Sequence, residues 1–136
     1  MQKHVPSAGA FHPHEVYVAA GEITGLEPGM YHYVADGHHL ERTEGDAHKP
    51  LSRAADAMRS TALPPCVLLL AATPGRTETK YGIAAHYLLA ADAGVLLAHF
   101  GLLATSVKAG GCCLGPMVFT GLVLPGKPMG AFSIWG

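Results

Sequence analysis

The chain has 136 residues with 9 Lys and Arg against 10 Asp and Glu, and 49% of it is apolar. One domain fits that length, and a near-neutral balance without a basic run excludes a nucleic-acid or anionic-surface binder, leaving small ligands or other proteins as partners. Three cysteines without a zinc-type spacing, and no basic and apolar leader at the start, predict a cytoplasmic chain with reduced thiols.

"VPSAGAFHPHEVYVAA" passes from a Pro, Ser and Gly loop into a strand at residues 15–20. "GLEPGMYHYVADGHHLERT" turns at Gly25, Pro28 and Gly29, alternates over residues 30–35, and carries the hairpin signal Asp36-Gly37, so the first third reads as a β-meander. "KPLSRAADAMRS", residues 49–60, spaces Leu51, Ala54, Ala55 and Met58 as a short amphipathic helix does. "CVLLLAATP" predicts a strand buried on both faces and ended by Pro74-Gly75.

Residues 83–107 are apolar on every face, which predicts a long helix buried on all sides. The segment is long enough to span a bilayer, but Asp92 near its middle, with His86 and His99 on either side, argues against it. A central Asp costs about 2.5 to 3.5 kcal/mol on insertion scales. A buried helix at a subunit interface explains the same residues. "CCLGPMVF" and "AFSIWG" predict two further short strands around "PGKPMG". With no repeat or linker, this order predicts one α+β domain over residues 1–136, with helices packed on a mixed, mainly antiparallel sheet.

Four features bear on chemistry, and each also fits a structural role. "PSAGAFHP" presents backbone N–H groups and one hydroxyl to a ligand, or is a loop entering a strand. Lys80-Tyr81 can donate to an anion or take up a proton, or is a solvated helix start with Tyr81 covering the core. "AGGCCLGPM" offers bare backbone to a flat aromatic cofactor, or holds plain core cysteines; a disulfide between Cys112 and Cys113 would close a strained eight-membered ring. The nine histidines lack Cys, Asp or Glu partners at metal-site spacing, so no metal is expected, and His86 and His99 read as buried or interface side chains.

Taken in order, "PSAGAFHPHEVYV", "GLEPGMYHYVADGHHLER", "RTETKYG" and "DAGVLLAHFGLLATSVKAGGCCLGP" resemble the SagB-type, McbC-like dehydrogenases of the FMN-dependent nitroreductase superfamily, across nearly the whole chain. The resemblance implies a nitroreductase-like fold, an intimate dimer with the central helix at its interface, and FMN in a groove between subunits. It implies an enzyme that oxidises azolines to thiazoles and oxazoles in ribosomally made peptides, beside a cyclodehydratase in a homodimer or hetero-oligomer.

Carried over residue by residue, it makes Lys80 the general base and Tyr81 its proton-positioning partner. Ser7, Ala8 and Gly9 touch FMN, with Pro6 and His12 shaping their loop, and Cys113, Leu114, Gly115 and Pro116 run along the flavin ring. The sequence departs from the family in three places. The N-terminal part that grips the FMN phosphate is not matched, leaving Lys3 and Lys108 as substitutes; the C-terminal part is shorter; and Ala98-His99 stand where Gln-Asn is commoner. Flavin would then be held with help from a partner subunit, or the chain would be a non-catalytic scaffold of a biosynthetic complex, or a piece of a longer protein. A general flavin nitro or quinone reductase is the remaining alternative.

Overall fold

The computed structural model describes residues 12–73, 81–115, 118, 122 and 124–136. In chain order it contains β1 (His14–Ala20), β2 (Gly29–Val34), β3 (His39–Thr43), α1 (His48–Ala57), β4 (Cys66–Ala72), a 3-10 turn (Gly82–Ala84), α2 (Ala85–Ser106), β5 (Gly110–Leu114) and β6 (Lys127–Trp135). The six strands form one sheet in the order β3-β2-β1-β4-β6-β5, and every neighbouring pair is antiparallel. The expected α+β class holds, with a sheet more uniformly antiparallel than predicted.

The most apolar strand lies inside the sheet because both of its faces are buried. Along β4, Val67, Leu69 and Leu70 are fully buried, and β1 contributes Val18, Ala19 and Ala20 beside it. Strand β3, "HLERT", is nearly all exposed and lies at an edge, where charged side chains discourage pairing with other chains. Gly37 and His38 both take positive φ (88° and 50°) in the β2–β3 hairpin, and the Tyr33 hydroxyl and His38 Nδ1 lie 2.8 Å apart beside it.

Side chains alternate between two cores. Val67, Leu69 and Ala71 point to the face covered by α1, where Leu51 and Ala54 join Tyr17, Ala19, Met30 and Ala131. The opposite face carries Val18, Ala20 and Tyr31 in one cluster, and farther along it Phe132 and Gly130. Here α2 packs: the Phe100 ring meets Phe132 at 6.0 Å and 60°, and Leu97 lies against Gly130. The layers are therefore helix, sheet, helix.

The long helix departs from expectation. Within one chain α2 buries only Ala85, Leu89, Asp92, Ala93 and Ala104, while Ile83, Tyr87, Leu102, Leu103 and Val107 are between 63% and 89% exposed. A single sheet face can cover only one side of a helix, so burial on all sides is not achieved. His86 is likewise exposed, and His99 is half-buried with its Nδ1 2.8 Å from the Val95 carbonyl oxygen. Among the described residues α2 with its preceding turn is the one helix long and apolar enough to cross a bilayer, yet it sits as a layer on the sheet.

At the other end of the sheet the two glycines of "AGGCC" have a packing role. A Cβ on Gly110 would overlap the Trp135 indole, and one on Gly111 would overlap the Phe132 ring. The flat groups lying on this bare backbone are the chain's own aromatics. Replacing Gly111 by Ala should therefore lower unfolding free energy by about 1–3 kcal/mol, the range for overpacking a core. Gly115→Ala, where a Cβ meets nothing within 4 Å, should change it by less than about 0.5 kcal/mol; urea denaturation of both variants checks the contrast.

Candidate functional site

Of the site residues expected from sequence, Ser7, Ala8, Gly9, Lys80 and Pro116 lie outside the described residues, as does most of "RTETKYG". Tyr81 is half-buried and directly precedes the 3-10 turn. Its neighbour Gly82 has φ of +56°, a left-handed conformation natural to glycine, and this residue redirects the chain between Tyr81 and the helix. Cys113 and Gly115 are exposed on and just after β5, with Leu114 half-buried between them. Cys112 and Cys113 alternate on β5, so their side chains leave opposite faces of the sheet, and all three cysteines are free. Burial pushes the Cys66 thiol up to about 11, which leaves it protonated and unreactive near neutral pH.

The structure does not bring Tyr81 and the β5 segment together within one chain. Gly130 lies beside both the Leu97 side chain and the Leu114 carbonyl oxygen, which sets the end of β5 next to the middle of α2. From residue 81 to residue 97 a helix rises roughly 24 Å, at about 1.5 Å per residue. Tyr81 therefore stands near one end of α2 and Leu114 near its centre.

Trp135 and Phe132 already lie over Gly110 and Gly111, which leaves the end of β5, from Cys113 to Gly115, as the part of this segment open to a flat ligand. It belongs to the end strand, its exposed residues are small, and among the described residues nothing lies within 4 Å of a Cβ placed on Gly115. For a phosphate the described residues near it supply Lys108, exposed with φ of 58° just past the C-terminal end of α2. That helix end is itself negative and competes for the ammonium.

A second polar arrangement, which sequence reasoning passed over, lies under the first turns of α2. His14 opens β1, is 7% exposed, and its Nε2 stands 2.9 Å from the Leu89 carbonyl oxygen. A carbonyl only accepts, so Nε2 carries the hydrogen; Nδ1 is buried without a hydrogen-bond partner. Asp92, 8% exposed, is close enough for its charge to act on the ring. The signal available in sequence was Asp92 itself: a carboxylate on an apolar helix requires a polar partner.

Elsewhere polar contacts serve the scaffold. His32 Nε2 lies 2.9 Å from Glu15 Oε2, and its ring lies 5.0 Å from that of Tyr17. A groove of about 790 Å³ lined by Gly29, Arg42, Asp46, His48, Leu51 and Pro65 contains neither Tyr81 nor any residue of β5. Arg42 is already engaged there, donating to the Pro28 carbonyl at 3.1 Å and lying 5.7 Å over the Tyr31 ring. Among the described residues no three His, Cys, Asp or Glu side chains converge as metal ligands.

Burial lowers the pKa of His14 from its ordinary 6.5, against the opposing pull of its bond to Leu89 and the charge of Asp92. Above that ordinary value the ring is neutral in folded and unfolded chains alike. As pH falls below about 6.5 the unfolded chain takes up a proton that the folded chain resists, so stability is lost down to the lowered native pKa. Urea midpoints between about pH 8 and 5 should therefore fall more steeply for the parent than for His14→Gln, which cannot titrate.

No protein-family model matches the chain. Over 114 residues it is 33% identical to a Methanocaldococcus jannaschii protein described as a nitroreductase, covering 83% of this chain and 58% of that one. Over 45 residues it is 51% identical to the trifolitoxin-processing protein TfxB of Rhizobium leguminosarum, covering 32% of this chain and 12% of TfxB. The chain thus spans little more than half of the first relative and a small part of the second. Among solved structures, a protein of Anabaena variabilis described as a nitroreductase superposes with a TM-score of 0.79 at 25% identity, covering 96% of this chain and 28% of that one. The Escherichia coli microcin synthetase McbBCD complex, with truncated pro-MccB17 bound, superposes with a TM-score of 0.81 at 14% identity, covering 100% of this chain and 56% of the matched chain. A helix, antiparallel sheet and helix arranged in this order, together with these likenesses, give the chain a nitroreductase-like α+β fold.

Proposed function

We propose that the chain acts within an FMN-dependent dehydrogenase that oxidises azolines to azoles in ribosomally made peptides. The observation that carries this reading is the 51% identity over 45 residues to TfxB, a trifolitoxin-processing protein by name. The fold shared with the microcin synthetase complex, solved with a truncated propeptide, supports it. A cyclodehydratase that makes the azoline is the expected companion. The cytoplasm is the expected compartment.

Aromatising an azoline removes a ring proton and a hydride, the second hydrogen leaving with both electrons. FMN, when bound, supplies the acceptor for the electrons and the second hydrogen. In this reading Lys80, acting as the general base, takes the ring proton, and the Tyr81 hydroxyl hydrogen-bonds the ring or relays that proton. Ser7, Ala8 and Gly9 hold the cofactor through backbone N–H groups, and Cys113 to Pro116 border its ring. Lys3 and Lys108 are the candidate phosphate partners.

The distance between Tyr81 and β5 along α2 supports a site assembled from two subunits, and so does the bare outer face of that helix. A second copy packed on Leu102, Leu103 and Val107 would complete the burial that an all-round apolar helix demands. A general nitro or quinone reductase is the second reading, favoured by the 33% identity to the Methanocaldococcus jannaschii protein.

The visible spectrum of the purified protein, alone, with added FMN and after co-expression with a cyclodehydratase, tests the cofactor. A colourless, folded protein in all three conditions would leave a scaffold as its role. With flavin bound, Lys80→Ala and Tyr81→Phe should each retain the flavin spectrum and lose azoline oxidation by about 10²-fold or more. Full activity in both variants would remove these residues from the chemistry, and reduction of nitroaromatics without azoline turnover would favour the second reading. Leu102→Glu with Leu103→Glu should dissociate the assembly, read by analytical ultracentrifugation.

A further inference from the structure

We propose that His14 is a positioning residue: its imidazole, buried with Asp92 under α2, fixes the register of that helix on β1 and so the place of Tyr81. The importance of Tyr81 rests on the function proposed above; the placement of the helix does not.

Toward β6 the helix is seated by Phe100 on Phe132 and Leu97 beside Gly130, but nearer its start the inner stripe offers little shape. Its buried apolar residues are Ala85, Leu89, Ala93 and Ala104, three of them alanines. The small side chains near the helix start supply only non-directional contacts of their own. The helix start is not pinned by capping either. Neither Ala84 before α2 nor Tyr81 before the 3-10 turn makes a side-chain cap hydrogen bond.

His14 supplies a directional contact at this end of the helix. Its Nε2–H donates to the Leu89 carbonyl at 2.9 Å, using the lone pair left over when that oxygen accepts from within the helix. The bond joins residues 75 positions apart, so it ties α2 to the sheet and not to its own neighbours. Apolar packing alone does not call for this residue. A leucine at position 14 would fill a similar space without burying Nδ1 unpaired. Asp92 lies one turn beyond Leu89 on the same buried stripe, where its charge favours the imidazole over an apolar neighbour. From Leu89 back to Tyr81 the chain is helix and 3-10 turn, with Ala85 fully buried between them. Whatever fixes Leu89 thus fixes the point from which Gly82 directs Tyr81.

Three substitutions separate the bond from the space. His14→Leu fills the site without a donor. His14→Asn keeps an amide, but its nitrogen sits where Nδ1 does and falls short of Leu89. His14→Gln places an amide N–H close to the position of Nε2. The readouts are the ring resonances of ¹³C-labelled tyrosine, with Tyr81 assigned through Tyr81→Phe, and amide hydrogen exchange of residues 85–93, both on the protein as purified.

His14→Leu and His14→Asn should shift the Tyr81 resonance and speed exchange in residues 85–93 by about five- to ten-fold, the size expected for losing one hydrogen bond. Exchange in β5 and β6 should stay unchanged, and His14→Gln should restore most of both signals. If one of the two donor-less variants does not fold, the other still decides. An unmoved Tyr81 resonance in a folded donor-less variant, or a His14→Gln variant that behaves like them, would overturn the inference. In the flavin-loaded enzyme the donor-less variants should lower kcat for azoline oxidation by a similar factor with KM held. A moved Tyr81 resonance combined with full activity of Tyr81→Phe upholds the positioning role and rejects the chemistry assigned to Tyr81.

Discussion

Strand β4 is apolar on both faces, and the layered architecture answers that condition. A strand with Leu69 on one side and Leu70 on the other must be covered twice, so it lies inside the sheet, with β1 and β6 as neighbours and helices on both faces. Helix α1 covers the first face with a narrow stripe of Leu51, Ala54 and Ala55 and leaves its other side to water. Helix α2 covers the second face and is apolar on its far side too. The same requirement that organises the sheet passes outward through α2 and is not met within one chain.

That imbalance links packing to the candidate site. The tyrosine before α2 and the small, exposed residues at the end of β5 are separated along the helix, so the proposed site draws on two places that one chain keeps apart. The exposed side of α2 is the surface on which the proposed second chain would pack. The polar contact between His14 and Leu89 lies on the opposite, inner side of the helix. The proposed association through the outer face and the His14 contact on the inner face therefore involve different residues and can be perturbed one at a time.

Local pattern made much of the fold legible. Strand β4 was visible as an unbroken apolar run, the β2–β3 hairpin through Asp36-Gly37, and α1 through the spacing of Leu51, Ala54 and Ala55. Strand β6 extends further back than "AFSIWG" indicated, because residues 127–130 carry little apolar pattern and pair with β4 across an irregularity at Leu70 and Ala71. The all-round burial expected of α2 is not met within one chain, because the apolar pattern of a helix does not say how much of it one sheet face can cover. The contact of His14 with α2 joins segments 75 residues apart and leaves no periodicity to follow. For the site itself, the residues that carried the resemblance fall partly outside the described residues. Tyr81 and Cys113 show position and exposure, not chemistry.

The sheet order also bears on how the chain is made. Strand β6 comes latest in sequence yet lies inside the sheet, with Cys66 facing Ile134 and β5 held only from its far side. On the ribosome β1 to β4 can assemble first, but the most apolar strand then has one open edge until residues near 130 emerge. During that interval β4 is a hydrophobic edge of the kind that recruits chaperones or neighbouring nascent chains. The sole tryptophan, Trp135, lies over Gly110 at that last junction. Its emission thus reports the docking of β6 against β5.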